Sequence, residues 1–107
     1  MSVGKHVIID MWKYDKTKDL ESVLQKAAIK AGFTIMDSKS VAFEPQGESV
    51  SIIIAESHIT AHTWPEYDYV AIDVFSCGSV EATYKTAIEI IRELNPEEYN
   101  MQVIDRG

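Results

Sequence analysis

The apolar and polar positions along the chain follow two different periods, which together predict a mixture of helices and strands. Apolar residues recur at helical spacing in two segments, so each segment predicts an amphipathic helix with one apolar stripe. The first stripe consists of Leu20, Val23, Leu24, Ala27, Ala28 and Ala31, and the second of Val80, Tyr84, Ala87, Ile88, Ile91 and Leu94. Gly32 follows the first stripe, where a left-handed C-terminal cap is expected.

The sequence also marks the ends of the second helix. Ser79 is a favourable N-cap residue, and the carboxylate of Glu81 suits the positive end of the helix dipole. Asn95 and Pro96 end the helix, because proline cannot continue it. We therefore expect the second helix to lie between Ser79 and Asn95.

Runs of β-branched and aromatic residues, bounded by turn residues, predict the strands. They cover residues 4–12, 33–36, 41–43, 50–55, 56–63, 69–75 and 99–104. The run at 50–55 is too short for a typical helix and predicts a buried strand. Turns are predicted at residues 45–47 and 77–78, and Pro65 interrupts the sheet because proline lacks a ladder donor.

Apart from the short run at 41–43, these elements follow the order β-α-β-β-β-β-α-β, which predicts the fold class. It is typical of an α+β protein built as a two-layer α/β sandwich, with two helices on one face of a largely antiparallel sheet. The 107 residues are 46% apolar, which fits one domain with a packed core and disfavours disorder. Small domains bury a lower fraction of their surface, so this chain would gain from oligomerisation.

Composition narrows the classes of function. The chain carries 10 Lys and Arg against 17 Asp and Glu, and this net charge of −7 disfavours nonspecific binding to nucleic acid. Its single cysteine, Cys77, cannot form an internal disulfide, which fits a reducing compartment. No apolar run reaches the ~18–20 residues of a membrane span, and residues 1–6 show no secretory signal, so we expect a cytoplasmic protein.

The segment 56–78 concentrates reactive side chains. It holds Ser57, His58, His62 and the only cysteine of the chain. Ser57 and His62 are five residues apart, so a straight strand would place them on opposite faces. A bend or a neighbouring strand must bring them together if they act jointly.

Simpler interpretations of these residues exist. A Ser/His hydrolase would need a G-x-S-x-G elbow, which the chain lacks, and a metal site at His58 and His62 would not lie on an H-E-x-x-H helix. A lone cysteine before a glycine, such as Cys77, is typically a small buried residue. Trp64 and Tyr67 are residue types that typically occupy core or interface positions. From chemistry alone these alternatives stay open.

Two sequence blocks carry a resemblance to a known family. The run Glu56-Ser57-His58-Ile59-Thr60-Ala61-His62-Thr63-Trp64-Pro65-Glu66-Tyr67 resembles the E-S-H-x-(T/S)-x-H-T-W-P-E-Y signature of bacterial and archaeal S-adenosylmethionine decarboxylases. The run Ala71-Ile72-Asp73-Val74-Phe75-Ser76-Cys77-Gly78 is similar to the second block of that family, and Gly4-Lys5-His6 to its start. The resemblance extends from about residue 4 to about residue 105 and predicts membership of the short prokaryotic type.

The resemblance implies that the chain makes its own cofactor. Ser57 would attack the carbonyl of Glu56, and the chain would then cleave into residues 1–56 and 57–107, with Ser57 converted to a covalent pyruvoyl group. In this family His62 matches the processing base, and Ser49 matches a serine that assists the step. The relatives act as dimers, so a homodimer or higher oligomer of processed chains is implied.

The resemblance also implies roles in turnover. The pyruvoyl group at Ser57 would form a Schiff base with the substrate amine, and Cys77 would return a proton after carbon dioxide leaves. Phe43 and Trp64 match positions near the adenine and sulfonium of the substrate, where stacking and cation–π attraction suit aromatic rings. Glu66 would bind ribose or adenine, or else it is a solvated carboxylate in a turn. The product would be the aminopropyl donor for spermidine synthesis.

Two segments depart from the family pattern and leave the substrate open. They contain Asp10 and Glu48, whose carboxylates could instead bind the terminal cation of arginine or ornithine. A relative that lacks catalysis and only binds a small molecule or a partner subunit is the third alternative.

Overall fold

Alternation of apolar and polar residues builds one antiparallel sheet. The computed structural model describes residues 3–107, and within them the strands are β1 (Gly4–Trp12), β2 (Thr34–Ala42), β3 (Glu48–Ala55), β4 (Ser57–Trp64), β5 (Tyr69–Ser76) and β6 (Glu98–Arg106). They lie in the order β2-β3-β4-β5-β1-β6, and every neighbouring pair is antiparallel. This confirms the predicted sheet.

Two helices, α1 (Leu20–Lys30) and α2 (Val80–Leu94), lie where the two apolar stripes predict them, and α2 lies between Ser79 and Asn95 as expected. The Asp19 side chain accepts a hydrogen bond from the backbone N–H of Ser22, and Ser79 caps α2 in the same way. Gly32 after α1 has φ +98°, and Asn95 after α2 has φ 43°, so both chain reversals use the left-handed region.

Both helices pack on one face of the sheet, which confirms the two-layer α+β sandwich. Alternate residues of the four central strands point into the layer between sheet and helices and are buried there, for example Ile9, Ile52, Ile59 and Ile72. The other alternate set forms the face turned away from the helices, which we call the open face. Because it lies opposite the helices, half-buried and exposed side chains of β3, β4, β5 and β1 share this surface.

Two strand predictions are wrong in detail. The predicted strands 33–36 and 41–43 are parts of one strand, β2, whose pairing with β3 shifts between Ile35 and Asp37. This irregularity interrupts the alternation that the prediction depends on. The segment 50–55 is buried on one face only, because the helices cover one side of β3 and Ile53 on the other side is 48% exposed.

The predicted apolar stripe of α2 is also partly wrong. Val80, Tyr84 and Ile88 are exposed and line a groove between the helices, whereas Thr83 and Thr86 are buried. The hydroxyls of both threonines donate to backbone carbonyls one turn earlier, at 3.1 and 2.8 Å. Because these hydroxyls are satisfied within the helix, polar residues can face the core.

The α-helices of residues 3–107 are also too short to cross a lipid bilayer, and none has the necessary apolar run.

Candidate active site

The peptide bond between Glu56 and Ser57 lies at the tight turn between β3 and β4. Ile54 pairs with Ser57 across this hairpin, so Ala55 and Glu56 form the turn. Glu56 is exposed and Ser57 is half-buried. The bond that the resemblance singles out for cleavage therefore lies at the exposed end of the β3–β4 hairpin.

Cys77 contacts this turn from the end of β5. Ser57 pairs with Ser76 across β4 and β5, which places the next residue, Cys77, beside the hairpin. Its thiol Sγ lies 3.4 Å from the carbonyl oxygen of Glu56, in position to donate a weak hydrogen bond. A second contact of 3.9 Å reaches the Glu56 carboxylate. Three of the predicted site residues thus form one cluster, which we call the turn cluster (Glu56, Ser57 and Cys77).

The approach of β1 to this cluster depends on a glycine. A Cβ atom added at Gly4 would lie 2.6 Å from the carbonyl oxygen of Ser76 and 3.1 Å from the Cα of Cys77. Only glycine allows this close approach without movement of the backbone that carries the thiol.

A second cluster lies further along β4, on the open face. Ser49 on β3 pairs directly with His62 on β4, and the Ser49 hydroxyl is 2.7 Å from Nδ1 of the imidazole. Both side chains are half-buried. The two residues that the resemblance assigns to processing are therefore hydrogen-bonded neighbours.

This pair lines a cavity of about 240 Å³ together with the three predicted substrate-binding residues. The predicted residues at the cavity are Phe43, Ser49, His62, Trp64 and Glu66. His62, Trp64 and Glu66 occupy alternate positions at the end of β4 and in the turn after it, while Phe43 approaches from the β2–β3 loop. We call this group the pocket cluster. Residues far apart in the sequence converge here because β3 and β4 are paired.

The two clusters are not brought together within one chain. β4 is paired without interruption from Ser57 to His62, so neither the expected bend nor a neighbouring strand joins these residues. Five strand residues span roughly 16 Å, and the two side chains belong to opposite faces of the sheet. A single chain therefore holds the turn cluster and the pocket cluster as two separate groups.

Sequence reasoning did not single out Tyr69, which lies beside Trp64 on the open face. Burial of the ring and a hydrogen bond to the Asp10 carboxylate raise the pKa of Tyr69 to about 12. The local sequence around Tyr69 carries no signal of this contact, because it depends on the pairing of β5 with β1.

Among residues 3–107 no group of three or more His, Cys, Asp or Glu side chains is arranged to hold a metal ion. His58 and His62 lie on the same face of β4, but four strand residues separate them by roughly 13 Å.

Comparison with known proteins agrees with this geometry. The family model for S-adenosylmethionine decarboxylase matches residues 5–107. The S-adenosylmethionine decarboxylase proenzyme of Aquifex aeolicus is 34% identical over 111 residues, covering 99% of this chain and 82% of the relative. The proenzyme of Methanococcus maripaludis strain C7 is 38% identical over 110 residues, covering 98% of this chain and 90% of the relative.

Solved structures extend the comparison. The crystal structure of the adenosylmethionine decarboxylase from Aquifex aeolicus superposes with a TM-score of 0.90 at 32% identity, covering 99% of this chain and 92% of that one. The Trypanosoma brucei AdoMetDC-delta26 monomer shares the fold with a TM-score of 0.66 at 15% identity. That match covers 92% of this chain but 45% of the other.

Fold and site define a two-layer α+β protein with a thiol and a serine at a hairpin turn and a separate Ser–His pocket. With matches over almost the whole chain, the protein belongs to the S-adenosylmethionine decarboxylase family.

Proposed function

We propose that this protein is a self-processing, pyruvoyl-dependent decarboxylase that converts S-adenosylmethionine into the aminopropyl donor for spermidine synthesis. The observation that carries the proposal is the 3.4 Å contact between the Cys77 thiol and the Glu56 carbonyl, at the turn that ends with Ser57. Membership of the family supports the same reaction.

Processing begins at the turn cluster. The Ser57 hydroxyl attacks the carbonyl carbon of Glu56, so that the C–N bond breaks and an ester forms with the freed amine on Ser57. The Cys77 thiol polarises the attacked carbonyl. Loss of the Ser57 α-proton then expels the Glu56 carboxylate and leaves a dehydroalanine. After tautomerisation, water replaces the nitrogen, ammonia leaves and the pyruvoyl carbonyl remains.

The surroundings of Ser57 fit this group. Ser57 starts β4, which is paired with β3 on one side and β5 on the other, so a new chain end at residue 57 stays held in the sheet. Cleavage at this exposed turn leaves the pairing of β4 beyond Ser57 in place. When formed, the pyruvoyl group supplies a carbonyl that accepts the electron pair left by the departing carboxylate.

We propose that a second copy of the chain completes the site. The pocket cluster of one copy would face the turn cluster of the other, and two-fold symmetry would create two identical sites. Apolar side chains exposed on the open face support this arrangement: Ile53 is 48%, Val41 41%, Ile104 40% and Trp64 40% exposed in one chain. Covering them with a second sheet would remove apolar surface from water.

His62 acts as the processing base in this arrangement. If its Nδ1–H donates to the Ser49 hydroxyl oxygen, Nε2 is left without a proton and can accept one from Ser57 of the partner subunit. The bond to Ser49 holds the ring in place in either tautomer. Cys77 serves turnover, because its thiol lies beside the Glu56–Ser57 turn and can return a proton to the substrate carbon.

The pocket fits an adenine nucleoside that carries a sulfonium. Phe43 and Trp64 offer aromatic faces for stacking and cation–π attraction, and Glu66 offers a carboxylate for the ribose hydroxyls. The carboxylates that could instead bind arginine or ornithine already have partners in the chain. Asp10 accepts a bond from Tyr69, and Glu48 accepts one from Ser40 at 3.1 Å.

Release of labelled carbon dioxide from S-adenosylmethionine, arginine and ornithine, measured side by side, tests the substrate. We expect S-adenosylmethionine to exceed both amino acids by more than tenfold in kcat/KM, a transition-state difference of about 1.4 kcal/mol. Preference for either amino acid by that margin would contradict the proposal, as would release from none of the three by protein shown to be cleaved.

A further inference from the structure

Three aromatic rings stack side by side on the open face, on three adjacent strands. Trp12 on β1 pairs with Tyr69 on β5, and Tyr69 pairs in turn with Trp64 on β4. The ring centroids are 5.3 Å apart for Trp12 and Tyr69 and 5.6 Å apart for Tyr69 and Trp64, with both ring pairs inclined by 27°. We call this row the aromatic ladder.

The middle ring of the ladder is anchored by a charge. The Tyr69 hydroxyl donates a hydrogen bond to the carboxylate of Asp10, which lies two residues before Trp12 on the same face of β1. Both partners are half-buried, and a hydrogen bond to a carboxylate is charge-assisted and directional. The bond holds the hydroxyl end of the ring in place, so Asp10 keeps Tyr69 in the side-chain rotamer that stacks between both tryptophans.

One end of the ladder is also a wall of the substrate pocket. Trp64 lines the cavity beside Phe43 and His62, and its ring lies 6.4 Å from the imidazole of His62. Trp64 is 40% exposed, so packing on its free side does not determine its orientation. The stack on Tyr69 supplies the missing constraint.

We propose that Asp10 and Tyr69 are positioning residues that set the affinity of the pocket for the adenosyl part of the substrate by holding Trp64. The inference rests on the proposed function. Without the anchor, Trp64 would explore other rotamers, and binding would have to order it again. The effect falls on ground-state and transition-state binding alike, because the ring touches the adenosyl group and not the reacting bonds.

The variants separate the effect of the Asp10–Tyr69 hydrogen bond from that of the Tyr69 ring. Tyr69→Phe removes the hydroxyl and keeps the stack, Asp10→Leu removes the acceptor, and Asp10→Asn keeps a weaker one. Tyr99→Phe, on the exposed side chain of β6, is the matched control. We expect Tyr69→Phe and Asp10→Leu each to raise KM for S-adenosylmethionine about threefold to tenfold with kcat and chain cleavage unchanged. The KM of the double variant should be no higher than that of either single variant, since both substitutions remove the same hydrogen bond.

A spectroscopic signal follows the ladder directly, because the chain contains two tryptophans and both belong to it. We expect the near-ultraviolet circular dichroism of the stacked rings to weaken in Asp10→Leu and to recover in part in Asp10→Asn. Quenching of tryptophan fluorescence by methylthioadenosine should saturate at higher concentrations in the variants by the same factor as KM.

The outcomes distinguish the inference from the proposed function. If the wild-type protein decarboxylates S-adenosylmethionine and Tyr69→Phe and Asp10→Leu have wild-type KM, the ladder does not position Trp64 and the inference is wrong. A joint loss of kcat and dimer mass would likewise overturn it, since Asp10 would then serve the subunit interface. If the wild-type protein is inactive but binds methylthioadenosine with the predicted differences, the proposed reaction fails and the positioning role stands.

Discussion

The thiol of Cys77 lies 3.4 Å from the carbonyl oxygen of Glu56, although 21 residues separate them in the chain. The contact exists because β4 and β5 pair in a register that sets Ser57 opposite Ser76. One thiol therefore lies beside both the bond that we propose is cleaved and the residue that we propose becomes the reactive group. The contact suggests two roles for Cys77 that substitution can separate.

We expect Cys77→Ala to harm turnover more than chain cleavage. The carbonyl of Glu56 loses only a weak donor, so cleavage should slow but still reach completion. Without the thiol, the substrate carbon lacks its proton source, and misplaced protonation on the pyruvoyl carbon should inactivate the enzyme after few turnovers. The number of product molecules released per inactivated subunit measures how often the proton reaches the substrate carbon and not the pyruvoyl carbon. A wild-type count in Cys77→Ala would show that Cys77 is not the donor.

Complementation between subunits tests whether two copies share one site. Ser57→Ala and His62→Ala are each expected to remain uncleaved when expressed alone. When the two are expressed together in equal amounts, random pairing puts about half of the chains into mixed dimers, where one intact site forms. Up to about half of the His62→Ala chains should then be cleaved, because these chains keep Ser57 and meet His62 of the other variant. Absence of cleavage in dimers shown to be mixed would mean that each site lies within one chain.

The observed orientation of α2 predicts that two isoleucines contribute very differently to the free energy of unfolding. Ile90 is fully buried, so Ile90→Ala should lower the free energy of unfolding by about 2–5 kcal/mol. Ile88 is 43% exposed in the groove between the helices, so Ile88→Ala should cost less than about 1 kcal/mol. Urea unfolding of both variants checks the prediction. Equal losses would mean that the stripe predicted from sequence, which includes Ile88, faces the core.

Local patterns explain why most of the fold could be predicted. Strand β1, the glycine that ends α1 and the Ser79 cap of α2 depend on neighbouring residues, and the structure confirms them. The continuity of β2 could not be predicted, because a shift in pairing at Ile35 and Asp37 hides its alternation. The rotation of α2 was missed because the buried threonine hydroxyls bond within the helix, so their polarity gives a false sign of exposure.

The same distinction between local sequence and strand pairing applies to the site. The site residues follow from two sequence blocks and the family resemblance that they carry, whereas the grouping of these residues depends on strand pairing. Ser49 meets His62 only because β3 and β4 pair in one particular register. The same pairing keeps Ser57 and His62 apart, which the spacing of five residues had already indicated for a straight strand. The bond between Asp10 and Tyr69 has no local signal at all.

Tyr69 also predicts a dependence of stability on alkaline pH. Its pKa is raised from 10.0 to about 12 in the folded chain, so the protonated phenol favours folding. This contribution is complete below pH 10 and is lost as the pH rises through about 12. The free energy of unfolding of the wild type should therefore approach that of Tyr69→Phe over this range. A constant difference between the two proteins up to pH 12 would contradict the shift.

The most direct measurement of the central claim is the intact mass of the purified protein under denaturing conditions. We predict two chains, residues 1–56 and residues 57–107, the second with a blocked N-terminus that carries the pyruvoyl group in place of Ser57. Ser57→Ala should give one chain of full length, and so should protein denatured before it can process. A wild-type enzyme that is fully active on S-adenosylmethionine and still has the mass of one uncleaved chain would contradict the account.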